Sequence, residues 1–348
     1  MLTLSQATSE TRVAFKWGGV ILLVFFLIFL IFKIGTALKQ TLFPTPPAPP
    51  TVSFGKLHSI IFPNNVSDKN YNYSLNTVTG TLPKFQDRIN VYKMVSIPPD
   101  LLALKKAIDK VSSVGFINPE LPISAKVYQW NDSSPLNRSL TMDIFSTDFS
   151  LSSTFISDPI VQSALNLPDQ TTAINTAQNF LMSMSSFPDD IDITKTKTLL
   201  FSINNTTLTS ATSFSNSQVI EVDFFQKDID KLPIYYPKAV GSTMNVLVVG
   251  GKDQPQIAQV NFSHQTSSNQ SATYPIKTAQ DAYNLLREGH GYIASYFGTS
   301  MDISIKDIFL AYYIGDKKQD YLLPIAVFEG DHGFFAYVPI ITDVWTSN

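Results

Sequence analysis

Four histidines are the imidazoles available for chemistry: His58, His264, His290 and His332. None stands three or four residues from another, so no helical zinc pair and no H-E-x-x-H motif forms locally. A site assembled from distant segments stays open. Taken singly, His290 follows a helix end, where the dipole favours a cation, and His332 lies in a turn. Ser53-Phe-Gly-Lys56 has the S-x-x-K spacing in which a lysine can deprotonate a serine one helical turn away. It follows a proline run without helical context, so it is not expected to act. No G-x-S-x-G elbow and no Gly-rich phosphate loop of the Walker or dinucleotide type occurs. Asp189-Asp190-x-Asp192 and Asp228-x-Asp230 gather carboxylates. Calcium needs six to eight oxygens, and these fragments supply too few, so they read as solvated turns. Paired carboxylates for glycoside hydrolysis stay open, because sequence separation says nothing about distance.

With 348 residues and no cysteine, disulfide scaffolds, thiolate metal sites and thiol catalysis are excluded. No catalytic residue, metal ligand or cofactor-binding residue is assigned, and no cofactor is expected. The formal charge is −3, which argues against the basic stripe of a nucleic-acid binder.

Aromatic residues come in adjacent pairs. Neighbours on a strand point to opposite faces, so one ring of each pair is expected in the core. The other is free for contacts, and interfaces favour aromatics. Phe224, Phe225, Tyr235, Tyr236, Tyr312 and Tyr313 therefore form the candidate interaction surface.

The elements that must position these residues start with an anchor. Trp17 to Phe32 contains no charged residue, and Ile34 to Leu38 continue it past Lys33. A bilayer needs about 20 helical residues, which this stretch supplies if Lys33 snorkels. A signal peptide would have a shorter apolar region and a small-residue cleavage site. The expected organisation is a cytoplasmic N-terminus (1–16), a transmembrane helix (17–38), a proline-rich stalk (39–52) and three α+β units (53–165, 166–270 and 271–348). Basic residues before and after the span lean only slightly towards N-terminus inside. The expected location is the cell membrane, single-pass, with the C-terminal part extracytoplasmic. Five prolines between Pro44 and Pro50 favour an extended polyproline stalk. Residues 1–50 carry four basic residues and one acidic, so the remainder holds 21 basic against 27 acidic, a net of −6. Eight N-x-S/T sequons occur, at Asn65, Asn72, Asn131, Asn137, Asn204, Asn205, Asn261 and Asn269. A eukaryotic ectodomain of this size would usually contain disulfides, so a bacterial envelope protein is the expectation.

The body reads as a helix followed by strands, three times. Helices are expected from Leu101 to Gly115, from Thr172 to Pro188 and from Thr278. The third carries Thr278-Ala-Gln-Asp281, the spacing of a capping box. Strands are expected over 73–82, 88–97, 125–130, 139–145, 149–156, 196–203, 218–225, 244–249, 256–263, 303–314, 321–329 and 334–341, the last two joined by Gly330-Asp-His-Gly333. Short turns favour antiparallel pairing, and a helix on such a sheet gives an α+β fold. Thr176-Ala-Gln matches Thr278-Ala-Gln, and Asp223–Pro233 echoes Ala311–Pro324, which suggests an internal repeat.

The last unit contains a helix ending Leu285-Leu-x-Glu-Gly-x-Gly-Tyr292, the strand Ile308-Phe-Leu-Ala-Tyr-Tyr313, and Tyr321-Leu-Leu-Pro-Ile-Ala-Val-Phe328 with a closing hairpin. Over Thr278–Ile341, and in its anchor plan, the chain resembles membrane-anchored YycH/YycI proteins and, more loosely, PepSY-type modules. The resemblance implies an exported α+β module that regulates a sensor kinase, or that binds peptides or controls a protease. It carries over no catalytic residue. The expected function is a non-enzymatic binding or regulatory module with an envelope protein or peptide as partner. A structural subunit of an envelope assembly and a hydrolase with a dispersed site are the alternatives.

Overall fold

The structure is a computed structural model that describes residues 17, 22–34, 49–66, 71–132 and 134–347. Residues 1–49 and 50–348 form two compact units. In the first, residues 22–34 form helix α1, whose apolar side chains are exposed. Among the described residues no helix is long and apolar enough to cross a membrane. Residues 18–21 and 35–38 of the expected span, the segment 1–16 and most of the stalk lie outside the described residues.

The second unit is α+β. It begins with β1 (Leu57–His58), β2 (Asn72–Leu75), β3 (Arg88–Met94) and α2 (Ala103–Ser112). There follow β4 (Leu121–Pro122), β5 (Val127–Asn131), β6 (Ser139–Asp143), β7 (Phe149–Ser152), α3 (Pro159–Gln162) and α4 (Gln170–Ser183). Next are β8 (Lys197–Asn204), β9 (Thr207–Ser210), β10 (Val219–Asp223), β11 (Ile234–Tyr235), β12 (Met244–Val249) and β13 (Gln256–Phe262). The chain ends with β14 (Ser267–Pro275), α5 (Ala279–Arg287), β15 (Tyr292–Ser295), β16 (Asp302–Tyr313), β17 (Tyr321–Gly330), β18 (Phe334–Pro339) and β19 (Thr346–Ser347).

A nine-stranded sheet has the order β4-β5-β6-β7-β13-β12-β10-β8-β9. Every pairing in it is antiparallel. Alternation decides its two cores. On β12, Val246 and Val248 join Ala107 and Val111 of α2 and Ala177 and Leu181 of α4. Leu247 and Val249 turn to the opposite face, under Phe155 and Val161 of the α3 region. That is why β12 is apolar along most of its length and buried throughout.

The second sheet is built on β11-β16-β17-β18-β15, with β2, β3 and β14 attached. Ala282, Tyr283 and Leu286 of α5 pack on one face with Ile305, Phe328 and Phe334. Ala311, Tyr313, Val327 and Tyr337 fill the other. Three short pairings are parallel, β2 and β11 on β16 and β1 on β19. This departs from the all-antiparallel expectation because these strands arrive from distant segments, not through hairpins.

The sheets do not follow the expected boundaries at 165 and 270. Strands 121–152 and 197–262 share one sheet, whereas β2, β3 and β11 belong with β14–β18. The two Thr-Ala-Gln triplets also occupy different places. Thr176 lies inside α4 and donates to Thr172 O, whereas Thr278 is the N-cap of α5. Ala311–Pro324 spans the β16–β17 hairpin, whereas after Asp223 only isolated bridges form before β11.

Candidate functional site

Both faces of β16 are covered, and this removes most of the expected aromatic surface. Tyr312 and Tyr313 are both fully buried, one in each core. Tyr312 donates to Asn90 O at 2.8 Å. Phe224 and Tyr236 are buried as well. Phe224 packs edge-on against Phe187 at 5.4 Å, and Tyr236 against Phe225 at 5.9 Å. Phe225 and Tyr235 are half-buried. Lys197 Nζ lies 5.2 Å from the Phe225 ring, and Tyr235 meets Tyr337 at 5.6 Å. Burial, then the Glu329 and Asp307 charges, push the Tyr235 hydroxyl up to about 12. These rings are the packing between layers, not an exposed patch.

The histidines separate. His58 sits in β1, and His290 follows α5. His332 has φ 54° in the turn before Gly333 at φ 65°, so the expected tight connection between β17 and β18 forms. His264 is the one that meets a carboxylate, with Nε2 2.8 Å from Asp190 Oδ1. Burial raises the Asp190 acid, but the hydrogen bond and charge of His264 and the Gln226 amide outweigh it and hold it below the usual range. An ionised carboxylate only accepts, so Nε2 carries the proton. Gln226 donates to Asp190 Oδ2 at 2.8 Å and to Gln265 O at 3.1 Å. Gln265 in turn donates to Gly315 O and Lys317 O, both at 3.1 Å. These two buried glutamines tie the β13–β14 crossing to the β16–β17 turn.

Asp190 and His264 line a cleft of about 450 Å³ with Phe187, Phe262, Ser186 and Lys318. Ser186 Oγ is spent on Met184 O at 3.1 Å, and Lys318 pairs with Asp148 at 3.0 Å. The arrangement fixes a loop to a strand crossing.

Asp192 and Asp228 are engaged by Lys195, and Asp230 accepts from Tyr92 at 2.6 Å and Asn90 at 2.7 Å. Among the described residues no cluster of three His, Asp or Glu could hold a metal. Ser53 and Lys56 lie around a turn with Gly55 at φ 69°, not on a helix. A buried acid escaped the sequence reading. Asp223 accepts from Ser242 N at 2.8 Å through Oδ1, and in its protonated form it shares a hydrogen bond with the Glu221 carboxylate. Burial, then the Glu221 charge, raise Asp223 to about 7.

A groove of about 710 Å³ lies along β16. Its floor is Ile308, Phe309 and Leu310, and its walls include Lys84, Phe85, Arg88, Asp230 and Leu232. On this edge β2 pairs with β16 up to Ile305, and β11 resumes at Tyr312. Among the described residues, the six residues 306–311 between them have no partner strand there. Tyr312 N donates to Pro233 O and Ile314 N to Tyr235 O. By the alternation of a strand, Leu310, two residues back, turns its N–H and C=O to the same edge. Ile308 N is satisfied by its neighbour's carboxylate, Asp307 Oδ1, at 2.8 Å. None of these groove residues has a local sequence signal, because the feature is a missing neighbour in space. Pro324 is the one hint. It stands opposite Tyr312, where a residue without N–H is tolerated only because that pair is not hydrogen-bonded.

No family model matches the chain, and no curated protein matches it significantly. Among solved structures it is distantly similar to an uncharacterized protein from Eubacterium rectale, at 11% identity and TM-score 0.39, over 82% of this chain and 93% of that one. It is also distantly similar to the C-terminal domain of Bacillus megaterium YpeB, at 12% identity and TM-score 0.31, over 72% and 95%.

Proposed function

We propose that the chain is a membrane-anchored, extracytoplasmic binding module of the cell envelope that acts through a protein or peptide partner and without catalysis. The observation that carries this reading is the interrupted edge of β16. The apolar faces of both sheets are packed, yet six residues of a central strand face a groove instead of a neighbour. An unfilled sheet edge accepts an extended segment through main-chain hydrogen bonds. Proteins normally block such edges, so one lying along a groove suits a partner strand. The apolar run 17–38 and the resemblance of Thr278–Ile341 to YycH/YycI and PepSY-type modules support the envelope setting.

Two measurements test it. A photo-crosslinking amino acid at Leu310 in the living cell is expected to give a discrete adduct with one partner, and the chain migrating only as itself would overturn the binding reading. The chain is expected to stay with membranes through a carbonate wash, its body open to protease added outside spheroplasts. Release into the wash, or protection of the body, would overturn the location.

A further inference from the structure

We infer that the groove along β16 takes an extended segment that presents a carboxylate to Lys84 and Arg88; this rests on the binding reading above and names the chemistry of the partner. The gap between Ile305 and Tyr312 covers six residues, about 20 Å at the rise of a strand. A segment of roughly that length can bond to the N–H and C=O of Leu310. Phe85, Leu232 and Ile308 beside the edge offer apolar contact to side chains on one face of the segment.

Charge selects among such segments. The body carries a net of −6, yet two of the three charged side chains lining this groove are cations. Among the described residues neither Lys84 nor Arg88 has a carboxylate within ion-pair distance, whereas other lysines of the body do. Of the two carboxylates at this edge, Asp230 is held by Tyr92 and Asn90, and Asp307 is turned onto Ile308 N. Arg88 is half-buried. A partly desolvated guanidinium is well matched by a carboxylate, which it can grip through two parallel hydrogen bonds. An acidic side chain and a free C-terminus supply the same group.

Selection from a random octapeptide pool on the full chain in detergent tests this. The expected result is enrichment of Asp or Glu at one position. The best peptide should bind at least tenfold tighter than its Asn or Gln counterpart. If the carboxylate is terminal, the tenfold loss should follow amidation of the C-terminus instead. The double variant Lys84→Gln, Arg88→Gln should still select peptides but without the acidic preference. Leu310→Pro, which removes the outward N–H and no β16–β17 hydrogen bond, should abolish binding in a protein that still melts cooperatively, while Leu310→Ala retains it. Peptides selected with no dependence on any carboxylate would overturn the charge inference and leave the binding reading standing. Failure to select any peptide would overturn the binding reading itself.

Discussion

Asp223 sits fully buried on β10 with one oxygen on a backbone N–H and the Glu221 carboxylate within hydrogen-bonding reach of its acid. Burial and Glu221 raise it from 3.8 to about 7, against the weaker opposing charge of Lys238. The folded chain therefore keeps this proton across a range in which the unfolded chain has lost it. The group's contribution to stability is greatest at acid pH and falls as pH rises from about 4 to about 7. Asp223→Asn keeps an acceptor for Ser242 and removes the charge. It should raise stability by on the order of 4 kcal/mol at pH 8 and change little at pH 3.5. Urea midpoints at the two pH values read this directly; an equal gain at both would exclude the titration. Asp132 is the opposite case, a carboxylate already paired. It lies 2.5 Å from Arg138, accepts from Ser134 as well, and Arg138 stacks 5.2 Å from Phe116. Asp132→Ala strands a half-buried guanidinium and should cost about 3 kcal/mol in chemical denaturation. A loss below about 0.5 kcal/mol would mean that the pair behaves as a surface bridge. Neither carboxylate is distinguishable in the sequence from the solvated Asp189. Residue type names a titratable group, but only the fold sets its surroundings.

At the scale of elements, local chemistry decides what can be read beforehand. The capping box at Thr278 is legible because both partners lie within four residues. Thr278 N donates to Asp281 Oδ2 and Asp281 N to Thr278 Oγ1, each at 3.1 Å. Thr278→Ala should therefore cost about 1 kcal/mol, measured as a lower melting temperature with the same cooperativity. The helix over 103–112 was legible by its apolar spacing, with Gly115 at φ 100° beyond its end. Asp100 accepts from Leu102 N at 2.9 Å, although Leu102 and not Asp100 occupies the N-cap position. β14 was illegible. Its first five residues are Ser-Ser-Asn-Gln-Ser, and only Ala272 and Tyr274 turn into the core. Its strand form comes from pairing with β3, a long-range contact that a period-two search cannot see. The same limit hid the tight approach at Gly250, where a Cβ would stand 2.0 Å from Leu165 O. Gly250-Gly251 after a strand is a turn pattern in the sequence, whereas the requirement at Gly250 is space for a backbone from another segment. Gly250→Ala should cost about 3 kcal/mol or more, and a melting temperature equal to that of the wild type would refute the close approach.

For the whole molecule, the order of strands in space differs most from the order in sequence. α5 and β15 to β18 look like a complete module when read along the chain, and the resemblance to YycH/YycI and PepSY-type modules over Thr278–Ile341 rests on them. In the fold, β16 receives β2 along Asp302–Ile305 and β11 at Tyr312 and Tyr313. β3 lies between β14 and β17. Leu57, Ile89 and Val91 are buried in the same core as Tyr283 and Phe328. Cutting at residue 270 would expose those faces, split β14, and leave β15–β18 without the strands that bond their edges. The fragment 271–348 should accordingly show no cooperative thermal transition, while residues 51–348 should unfold in one step. Adding residues 51–99 to the fragment through a flexible linker should restore part of the transition, because it returns β2 and β3 but not β11. A cooperative melt of 271–348 alone would show that the last unit folds by itself, and that the strands from earlier in the chain decorate it instead of completing it.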